Sequence, residues 1–250
     1  MAGKVVEMLF PEVSNLYGDP FNMNFLGQCL EASGCEYSIV RDELCQKPYF
    51  ADAVPDLVWM GPMTEHSQEL VIEALKPYKE RLLELIRSNT IFVITGNALE
   101  IFGKSIECED GTIIPALGLF DTVARRKMFE RYNSIFLGEF ERIKIVGHKS
   151  QFSHSYHSGN TDPSMLKYSG MIQVTRGDGL CPGNEFEGIR YKNFLATYLL
   201  GPLLVLNPLL TKWIMTKMGV ENPKIAFETE AMNAYNIRLT EFTNPATELN

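Results

Sequence analysis

Residues 94–103, Ile-Thr-Gly-Asn-Ala-Leu-Glu-Ile-Phe-Gly, are the part of the sequence whose residue types and order most suggest chemistry. A buried strand that turns through small residues into a helix has the form of a nucleophile elbow, because the turn is tight and its apical residue is strained. Thr95 offers a hydroxyl at this turn. Since a hydroxyl is a poor nucleophile unless a base activates it, a catalytic role for Thr95 requires a partner elsewhere in the chain.

Three residues are candidates for such a base. Glu100 follows the elbow, and His154 and His157 lie in the stretch Ser-His-Ser-Tyr-His. The polar character of that stretch favours a surface loop over a catalytic role. We interpret His66 and His148 as surface or hydrogen-bonded residues, and we expect no metal, because no His-x-x-x-His or mixed histidine and carboxylate spacing is present.

The cysteines predict neither a disulfide framework nor a zinc knuckle. There are five of them, an odd number, and no C-x-x-C pair occurs. This pattern is typical of a protein in the reducing cytoplasm. Cys108 and Cys181 lie in predicted turns that are remote in sequence from the elbow, so a displaced cysteine nucleophile is the less favoured alternative.

Composition and charge exclude several classes of protein. The formal charge of -8 and the pI of about 5.1 argue against a nucleic-acid partner, which is bound through clustered Lys and Arg. The start of the chain lacks a charged leader followed by an apolar segment. The most apolar later stretch, 194–210, is broken by glycine and proline and is too short for a membrane span. We therefore expect a soluble cytoplasmic protein with no cofactor.

The first half of the chain alternates between apolar runs and amphipathic segments. Asp19-Pro20 predicts an N-cap with proline at the first helical position, and Gly34 ends that helix. The predicted order is β-α-β-β-α-β, with strands at 4–10, 37–40, 56–60 and 90–95 and with helices from 20 and at 77–87. Strands that are apolar on both faces indicate a parallel sheet covered by helices on both sides, with a ligand site at the strand ends where Gly61 and Gly96 fall.

The second half has shorter β-like runs separated by glycine-rich turns. These runs are residues 143–147, 171–175 and 194–199, and they favour some antiparallel pairing at one edge of the sheet. A helix at about 209–218 and a polar tail from about Asn233 follow. No repeat or linker divides the sequence, so we expect a single domain over 1–250.

Three segments carry a resemblance to class I glutamine amidotransferases. Residues 94–103 resemble the family's strand followed by Cys-Gly-Gly-aromatic-Gln, two apolar residues and Gly. Residues 15–19, Asn-Leu-Tyr-Gly-Asp, with Asn22, resemble an N-terminal Asn-Leu-Tyr-x-Asp-x-x-Asn motif. Residues 187–202 resemble the segment Glu-Gly-x-x-Tyr-Lys-Asn-x-x-Gly-Thr-Tyr-Leu-His-Gly-Pro. The branch resembled contains cobyric acid synthase and, closer to this chain, the glutaminase subunit of lipid II isoglutaminyl synthase.

The resemblance implies an α/β fold of flavodoxin-like type over most of residues 5–215. It also places Asp-Gly-Thr at 110–112 and Leu-Gly-Leu-Phe-Asp at 117–121 where the family has an Asp-Gly-Thr turn and a Leu-Gly-x-x-Asp strand. It implies a cleft with an oxyanion-like loop, to which Gly61 and Asn97 correspond. In this chain that loop keeps one glycine, followed by Pro62 and Met63.

The departures from the family fall on its catalytic residues. The cysteine position is Gly96 when counted back from Gly103, and Thr95 when counted forward from Ser88. The family histidine is replaced by Leu200, and the further motif Gly-aromatic-Glu-x-His reads Gly-His-Lys-Ser-Gln at 147–151. Glutaminase chemistry needs a thiolate and the histidine that generates it, and losing one member of such a pair costs on the order of 10⁶ in kcat.

These departures predict a non-catalytic amidotransferase-like subunit. The resemblance implies a Mur-ligase-like ATP-dependent ligase as partner, and the former cleft is a candidate site for a small ligand. The alternatives are an enzyme of changed chemistry that uses Thr95 or relocated residues, and a binding protein without a ligase. For docking we consider six large side chains, of which Phe21 is expected to pack inside: Tyr17, Phe21, Met23, Met128, Phe129 and Tyr132.

Overall fold

A computed structural model describes residues 3–159 and 162–247, which form two sheets and the helices around them. The strands are β1 (Lys4–Leu9), β2 (Tyr37–Asp42), β3 (Leu57–Met60), β4 (Ile91–Thr95), β5 (Ser105–Cys108), β6 (Ile113–Pro115), β7 (Thr122–Arg126), β8 (Tyr132–Phe140), β9 (Ile143–Gln151), β10 (Ser153–His157), β11 (Ser169–Arg176), β12 (Phe186–Tyr191) and β13 (Phe194–Thr197). The helices are α1 (Pro20–Ala32), α2 (Glu65–Leu75), α3 (Lys79–Arg87), α4 (Ala98–Ile101), α5 (Leu203–Leu206), α6 (Pro208–Lys217) and α7 (Glu228–Thr243).

The larger sheet has nine strands in the order β2-β1-β3-β4-β13-β12-β11-β8-β9. Its first five strands are parallel neighbours, and the remaining pairs are antiparallel. The predicted α/β fold with a parallel sheet and added antiparallel strands is confirmed. The antiparallel part is wider than the predicted edge, because β8, β9, β11 and β12 all belong to it.

The pairing of β13 with β4 positions the candidate site. These two strands are parallel, with Thr197 opposite Thr95, so both strands end at the same edge of the sheet. Met60, the last residue of β3, pairs with Ile94. The loops that begin at Gly61, Gly96 and Tyr198 therefore meet above the carboxyl ends of three adjacent strands, where ligands bind in open α/β sheets.

The core lies on both faces of the larger sheet. Alternate residues of one strand belong to different apolar clusters, as with Phe92 and Ile94 on one face and Ile91 and Val93 on the other. Phe194 anchors the first cluster, with its ring centroid 4.7 Å from that of Phe120. Because both faces are covered, β3 and β4 are entirely buried, which accounts for their unbroken apolar sequences.

A second sheet of four strands, in the order β10-β7-β5-β6, was not predicted. Residues 153–157, predicted as a polar surface loop, form its strand β10. Ser153, His154 and Ser155 are buried there. The prediction was wrong because Ser153 and Ser155 have buried hydrogen-bond partners, Glu100 and Tyr198, on distant segments, which no local pattern shows.

Several other elements differ from the sequence-based expectation. Helix α2 was missed, and α3 begins at Lys79 because residues 76–78 form a 3-10 turn around Pro77. The predicted polar tail from Asn233 is part of helix α7, which buries Tyr235 and Phe242. Tyr235 also donates a hydrogen bond to the Lys144 carbonyl at 2.8 Å, so α7 is held by contacts with β8 and β9.

The described residues contain neither a membrane-spanning helix nor a cluster of metal ligands. Within 3–159 and 162–247, no helix is both long and apolar enough to cross a membrane. In the same ranges, no group of three His, Cys, Asp or Glu side chains is placed to hold a metal ion.

Candidate functional site

The turn after β4 places Thr95 and Gly96 in different environments. Thr95 is fully buried, and its hydroxyl donates to Asp19 Oδ1 at 3.0 Å. Gly96 has φ +61°, in the left-handed region that favours glycine, and it lines a cavity. The positive-φ apex of the turn is therefore Gly96, whereas the Thr95 side chain faces the protein interior.

A buried carboxylate, that of Asp19, joins the start of α1 to the carboxyl ends of β3 and β4. It accepts hydrogen bonds from Trp59 Nε1 at 2.7 Å, Thr95 at 3.0 Å and Asn22 Nδ2 at 3.1 Å. Burial raises the pKa of Asp19 to about 6, although each of these donors lowers it. The predicted N-cap at Asp19 with Pro20 at the first helical position is confirmed, although the Asp19 carboxylate turns inward and accepts no capping hydrogen bond from the α1 backbone.

Gly61 is required by this arrangement. A Cβ at Gly61 would overlap the Asp19 carboxylate and lie 2.7 Å from the Ser14 carbonyl oxygen. The single glycine that remains in the loop after β3 is thus fixed by the close approach of Asp19. Its presence has a packing explanation that is independent of any oxyanion-binding role.

Three residues form what we call the floor of the cavity: Pro62, Gly96 and Leu200. A Cβ added to Gly96 would lie 2.5 Å from Pro62 Cβ and 3.2 Å from Leu200 Cδ2. The predicted juxtaposition of Gly96 and Leu200 is therefore present. Pro62 closes the space above Gly96, so a side chain at position 96 does not fit without movement of the loop.

The loop after β3 is also pinned by Asn97. Asn97 Oδ1 accepts from the Met63 backbone N–H at 3.0 Å, and its Nδ2 donates to the Met63 carbonyl at 2.8 Å. Pro62 has no backbone N–H to offer. Of the backbone donors that such a loop could present to a developing oxyanion, the one at position 62 is consequently absent and the Met63 N–H is engaged by Asn97.

The cavity above the floor has a volume of about 170 Å³. Its lining includes Tyr17, Thr64, Glu65, Arg131, Ser150 and Gln151. At its mouth, Arg131 Nη1 donates to the Tyr17 hydroxyl and to Ser150 Oγ, both at 3.1 Å, and the guanidinium lies 4.3 Å from the Phe152 ring centroid. These contacts join residues 15–19 to the segment that precedes β8.

Behind the floor lies a group of hydrogen-bonded side chains that we call the buried polar layer: Gln68, Glu100, Lys149, Ser153, Glu187 and Tyr198. Glu100 accepts from Gln68 Nε2 at 2.9 Å, from the Tyr198 hydroxyl at 3.0 Å and from the Ser153 hydroxyl. Burial raises the pKa of Glu100, against the lowering effect of these donors. The predicted candidate base Glu100 is thus enclosed by neutral donors and does not line the cavity.

The other half of the polar layer is an ion pair. Lys149 Nζ lies 2.7 Å from Glu187 Oε2, with both side chains almost wholly inaccessible. Lys149 also donates to the Gly179 carbonyl at 2.6 Å, while Glu187 Oε1 accepts from the Tyr198 backbone N–H at 2.7 Å. Neither charge is available to a ligand, because every short contact is made within the protein.

The two candidate histidines lie away from the floor. His154 is buried in β10 with its ring 4.2 Å from that of Tyr132, and burial lowers its pKa. Exposed His157 lies 3.4 Å from Asp121 Oδ2 and borders a different groove on the second sheet. His148 contributes its carbonyl, which accepts from the Leu200 backbone N–H at 3.0 Å. None of the three side chains lines the described cavity.

The candidate docking residues divide into exposed and buried ones. Phe129 is 97% exposed, and Tyr17 and Met128 are also exposed. Phe21 is 61% exposed, so the expectation that it packs inside is wrong. Met23, with 1% exposure, belongs to the core instead. Tyr132 is partly buried against His154.

Sequence comparison finds two curated relatives. One, from Staphylococcus aureus, is named lipid II isoglutaminyl synthase (glutamine-hydrolyzing) subunit GatD and is 26% identical over 88% of this chain and 85% of its own. The other, of the same name from Streptococcus pneumoniae, is 24% identical over 83% of this chain and 77% of its own. No protein-family model matches the chain.

Structural comparison agrees in fold. The glutaminase domain of Trypanosoma brucei CTPS, solved with bound acivicin, superposes with a TM-score of 0.55 at 9% identity, covering 89% of this chain and 96% of that domain. At this identity the match concerns the fold alone.

Proposed function

Because the chain is homologous to the GatD subunit of lipid II isoglutaminyl synthase and has a glutamine amidotransferase-like fold, we propose that it is a GatD-like subunit that does not hydrolyse glutamine. In this role it docks on a Mur-ligase-like ATP-dependent ligase and keeps the former cleft as a site for a small ligand. In this proposal the chain keeps the amidotransferase-like fold but lacks the cysteine and histidine that hydrolyse glutamine.

The floor is the observation that carries this proposal. Hydrolysis of a side-chain amide needs a thiolate and a base that later protonates ammonia. Gly96 has no side chain and Leu200 cannot accept a proton. Pro62 Cβ lies 2.5 Å from where a Cβ at position 96 would be. The nucleophile side chain is therefore absent, and Pro62 occupies the space that it would need. Three neighbouring residues are thus fitted to one another in a way that leaves no room for a nucleophile.

A hydrolase that uses Thr95 is the competing candidate. The Thr95 hydroxyl donates to Asp19, and the raised pKa of Asp19 is suited to a general base. Thr95 is however 0% exposed and does not line the cavity, so a substrate would reach it only after the loops move. This burial favours the non-catalytic proposal.

Ammonia release from glutamine tests the proposal, with the purified protein alone and together with a Mur-ligase-like protein. We expect no release above background in either case. Turnover that disappears in Thr95→Ala would support the Thr95 hydrolase. Turnover that survives Thr95→Ala and replacement of each of the five cysteines would show that the chemistry lies in other residues.

Docking is tested by co-purification with the same ligase. Tyr17 lines the cavity and bonds to Arg131, Phe129 lies two residues before Arg131 in the chain, and exposed aromatic side chains are frequent anchors of interfaces. We expect Phe129→Ala to weaken co-purification without loss of folding. Val54→Ala, which alters an exposed apolar residue outside this region, is the matched control. Equal recovery of the ligase with both variants would contradict docking through Phe129.

A further inference from the structure

We infer that Glu7 and Asp42 share one proton at neutral pH and that this proton holds residues 43–53 against the larger sheet. Glu7 lies within β1, and Asp42 ends β2, the first strand in the order of that sheet. Neither residue lines the cavity. A proton shared at this place is therefore independent of whether the chain hydrolyses glutamine.

The strand register places the two carboxyl groups on one face of the sheet. Glu7 pairs with Val40, and Asp42 pairs with Leu9, two residues further along each strand. Because side chains alternate between the two faces, Glu7 and Asp42 point to the same side and are diagonal neighbours. Glu7 is 0% exposed and Asp42 is 6% exposed, so solvent water does not hydrate a charge on either. Two adjacent negative charges are strongly disfavoured there.

Each of the two carboxyl groups has one hydrogen-bonded oxygen and one oxygen without a donor. The Phe50 backbone N–H donates to Glu7 Oε1 at 2.8 Å, and the Tyr49 backbone N–H donates to Asp42 Oδ1 at 3.1 Å. Glu7 Oε2 and Asp42 Oδ2 are buried and receive no hydrogen bond from residues 3–159 or 162–247. Such orphaned acceptors are costly. A proton on one of these oxygens donates to the other and removes both costs.

The surrounding segments supply no cation that would neutralise the pair. Arg81 of α3 donates from Nε to the Phe50 carbonyl at 3.0 Å and from Nη2 to the Ala53 carbonyl at 2.9 Å. Lys47 pairs with Asp52 at 2.6 Å. The other titratable side chains of these segments make no hydrogen bond or ion pair with either carboxyl group in the described structure: Glu12, Arg41, Glu43, Tyr49 and Tyr78.

A proton fits this pair better than a metal ion does. Among the residues that the structure describes, no third carboxylate, histidine or cysteine is placed to complete a metal site. Burial raises the pKa of Glu7 from 4.5 to about 9, and the side-chain hydrogen bond to Asp42 contributes to this rise. The Phe50 N–H acts in the opposite direction but does not offset burial. Glu7 therefore stays protonated at neutral pH and donates to Asp42.

The shared proton keeps the turn at residues 49–51 on the sheet. Both carboxyl groups accept hydrogen bonds from the backbone of this turn, and its fully buried Phe50 packs in the same apolar cluster as Leu9. Two ionised carboxylates would repel each other, so one of them would leave its N–H donor. The proton therefore preserves both hydrogen bonds and the packing of Phe50.

Unfolding equilibria of wild type and Glu7→Gln test whether the proton is present. The introduced amide accepts from Phe50 and donates permanently to Asp42, so it replaces the proton. A raised pKa stabilises the folded state fully below about pH 4.5, and this contribution is lost as the pH rises towards about 9. The unfolding constant of wild type, divided by that of Glu7→Gln, should therefore rise about tenfold per pH unit from about pH 6 to pH 8.

Glu43→Gln is the matched control, because Glu43 is an exposed glutamate in the same segment. The unfolding constant of wild type, divided by that of Glu43→Gln, should not change with pH over this range. A flat ratio for Glu7→Gln would overturn the inference. So would a wild-type stability that depends on the sodium or potassium concentration at constant ionic strength and not on pH, because a metal ion would then take the place of the proton.

Two further measurements use the wild-type side chains. In carbon-13 NMR, the Glu7 carboxyl carbon should titrate with a midpoint above about pH 7, and titration of every carboxyl group below about pH 5 would overturn the inference. In hydrogen exchange, the protection of the Tyr49 and Phe50 amides should fall by at least about tenfold between about pH 7 and pH 10 in wild type only. An equal fall in Glu7→Gln would show that the proton does not hold residues 43–53.

Discussion

Glu100 and Tyr198 of the buried polar layer lie within four residues of Gly96 and Leu200 of the floor in the chain, but the two regions differ in chemistry. The floor consists of Pro62, Gly96 and Leu200, with no titratable group. The polar layer, starting at Glu100, holds two carboxylates and a lysine that are buried and hydrogen-bonded. The side chains that support the strand ends are thus separate from the positions where a nucleophile and its base would react, so the fold can keep the former without the latter.

The largest expected effect comes from breaking the ion pair of the polar layer. Lys149→Met would leave Glu187 as an uncompensated buried charge, and such changes cost about 3–5 kcal/mol. We expect a loss of this size in the free energy of unfolding, measured by urea titration. The double variant Lys149→Met/Glu187→Gln should recover a large part, because the remaining amide oxygen can still accept from Tyr198. A cost below about 1 kcal/mol for the single variant would show that this pair does not support the site.

Asp19, which accepts a hydrogen bond from Thr95 beside the floor, predicts a pH effect. Its pKa is raised from 3.8 to about 6 in the folded protein, so the folded state holds the proton more tightly than the unfolded chain. Its contribution to stability is therefore fully present below about pH 4, declines as the pH rises to about 6, and is constant above. The change amounts to about 3 kcal/mol.

The Asp19→Asn variant isolates this contribution. The free energy of unfolding of both proteins is measured from pH 4 to pH 7. As the pH rises, the value for the wild type should fall relative to that of the variant. Other carboxylates titrate alike in both proteins and cancel in the difference. A difference that stays constant over this range would mean that Asp19 ionises normally.

A smaller effect tests the fit of the floor. Gly96→Ala adds an atom that overlaps Pro62 at a position with positive φ, and we expect it to cost about 2 kcal/mol. In a Pro62→Gly background the cost should fall to about 1 kcal/mol, because only the backbone strain remains. Gly34→Ala is the control, since Gly34 has φ +72° and nothing within 4 Å of an added Cβ. Equal costs of Gly96→Ala in both backgrounds would contradict the contact with Pro62.

Local sequence patterns predicted the α/β fold and placed Gly61 and Gly96 at strand ends. The motif resemblance then brought Leu200 to the same turn, and the structure shows that proximity. Sequence could not show that the Asp19 side chain faces inward, because its donor Trp59 is 40 positions away. The choice between Thr95 and Gly96 at the apex also required the backbone conformation, since both are small residues at the same turn.

The contact of Pro62 with position 96 could not be predicted from the sequence either. In the sequence it is one substituted residue in a glycine-poor loop, and its contact with position 96 depends on the approach of two loops after β3 and β4. The buried pair of Lys149 and Glu187 likewise joins β9 to β12. Such contacts between separate elements are set by tertiary packing and have no signature in the periodicity of either segment.

The rate of ammonia release from glutamine in a restoration series tests whether the fitted floor excludes glutaminase chemistry. The series compares wild type, Gly96→Cys/Leu200→His, and the same pair with Pro62→Gly, each with the ligase present. We predict background rates for wild type and for the pair, because Pro62 occupies the space above position 96, and a rate above background for the triple variant. Glutaminase turnover by the wild type, or by the pair while Pro62 is intact, would contradict the claim that the fitted floor excludes the chemistry.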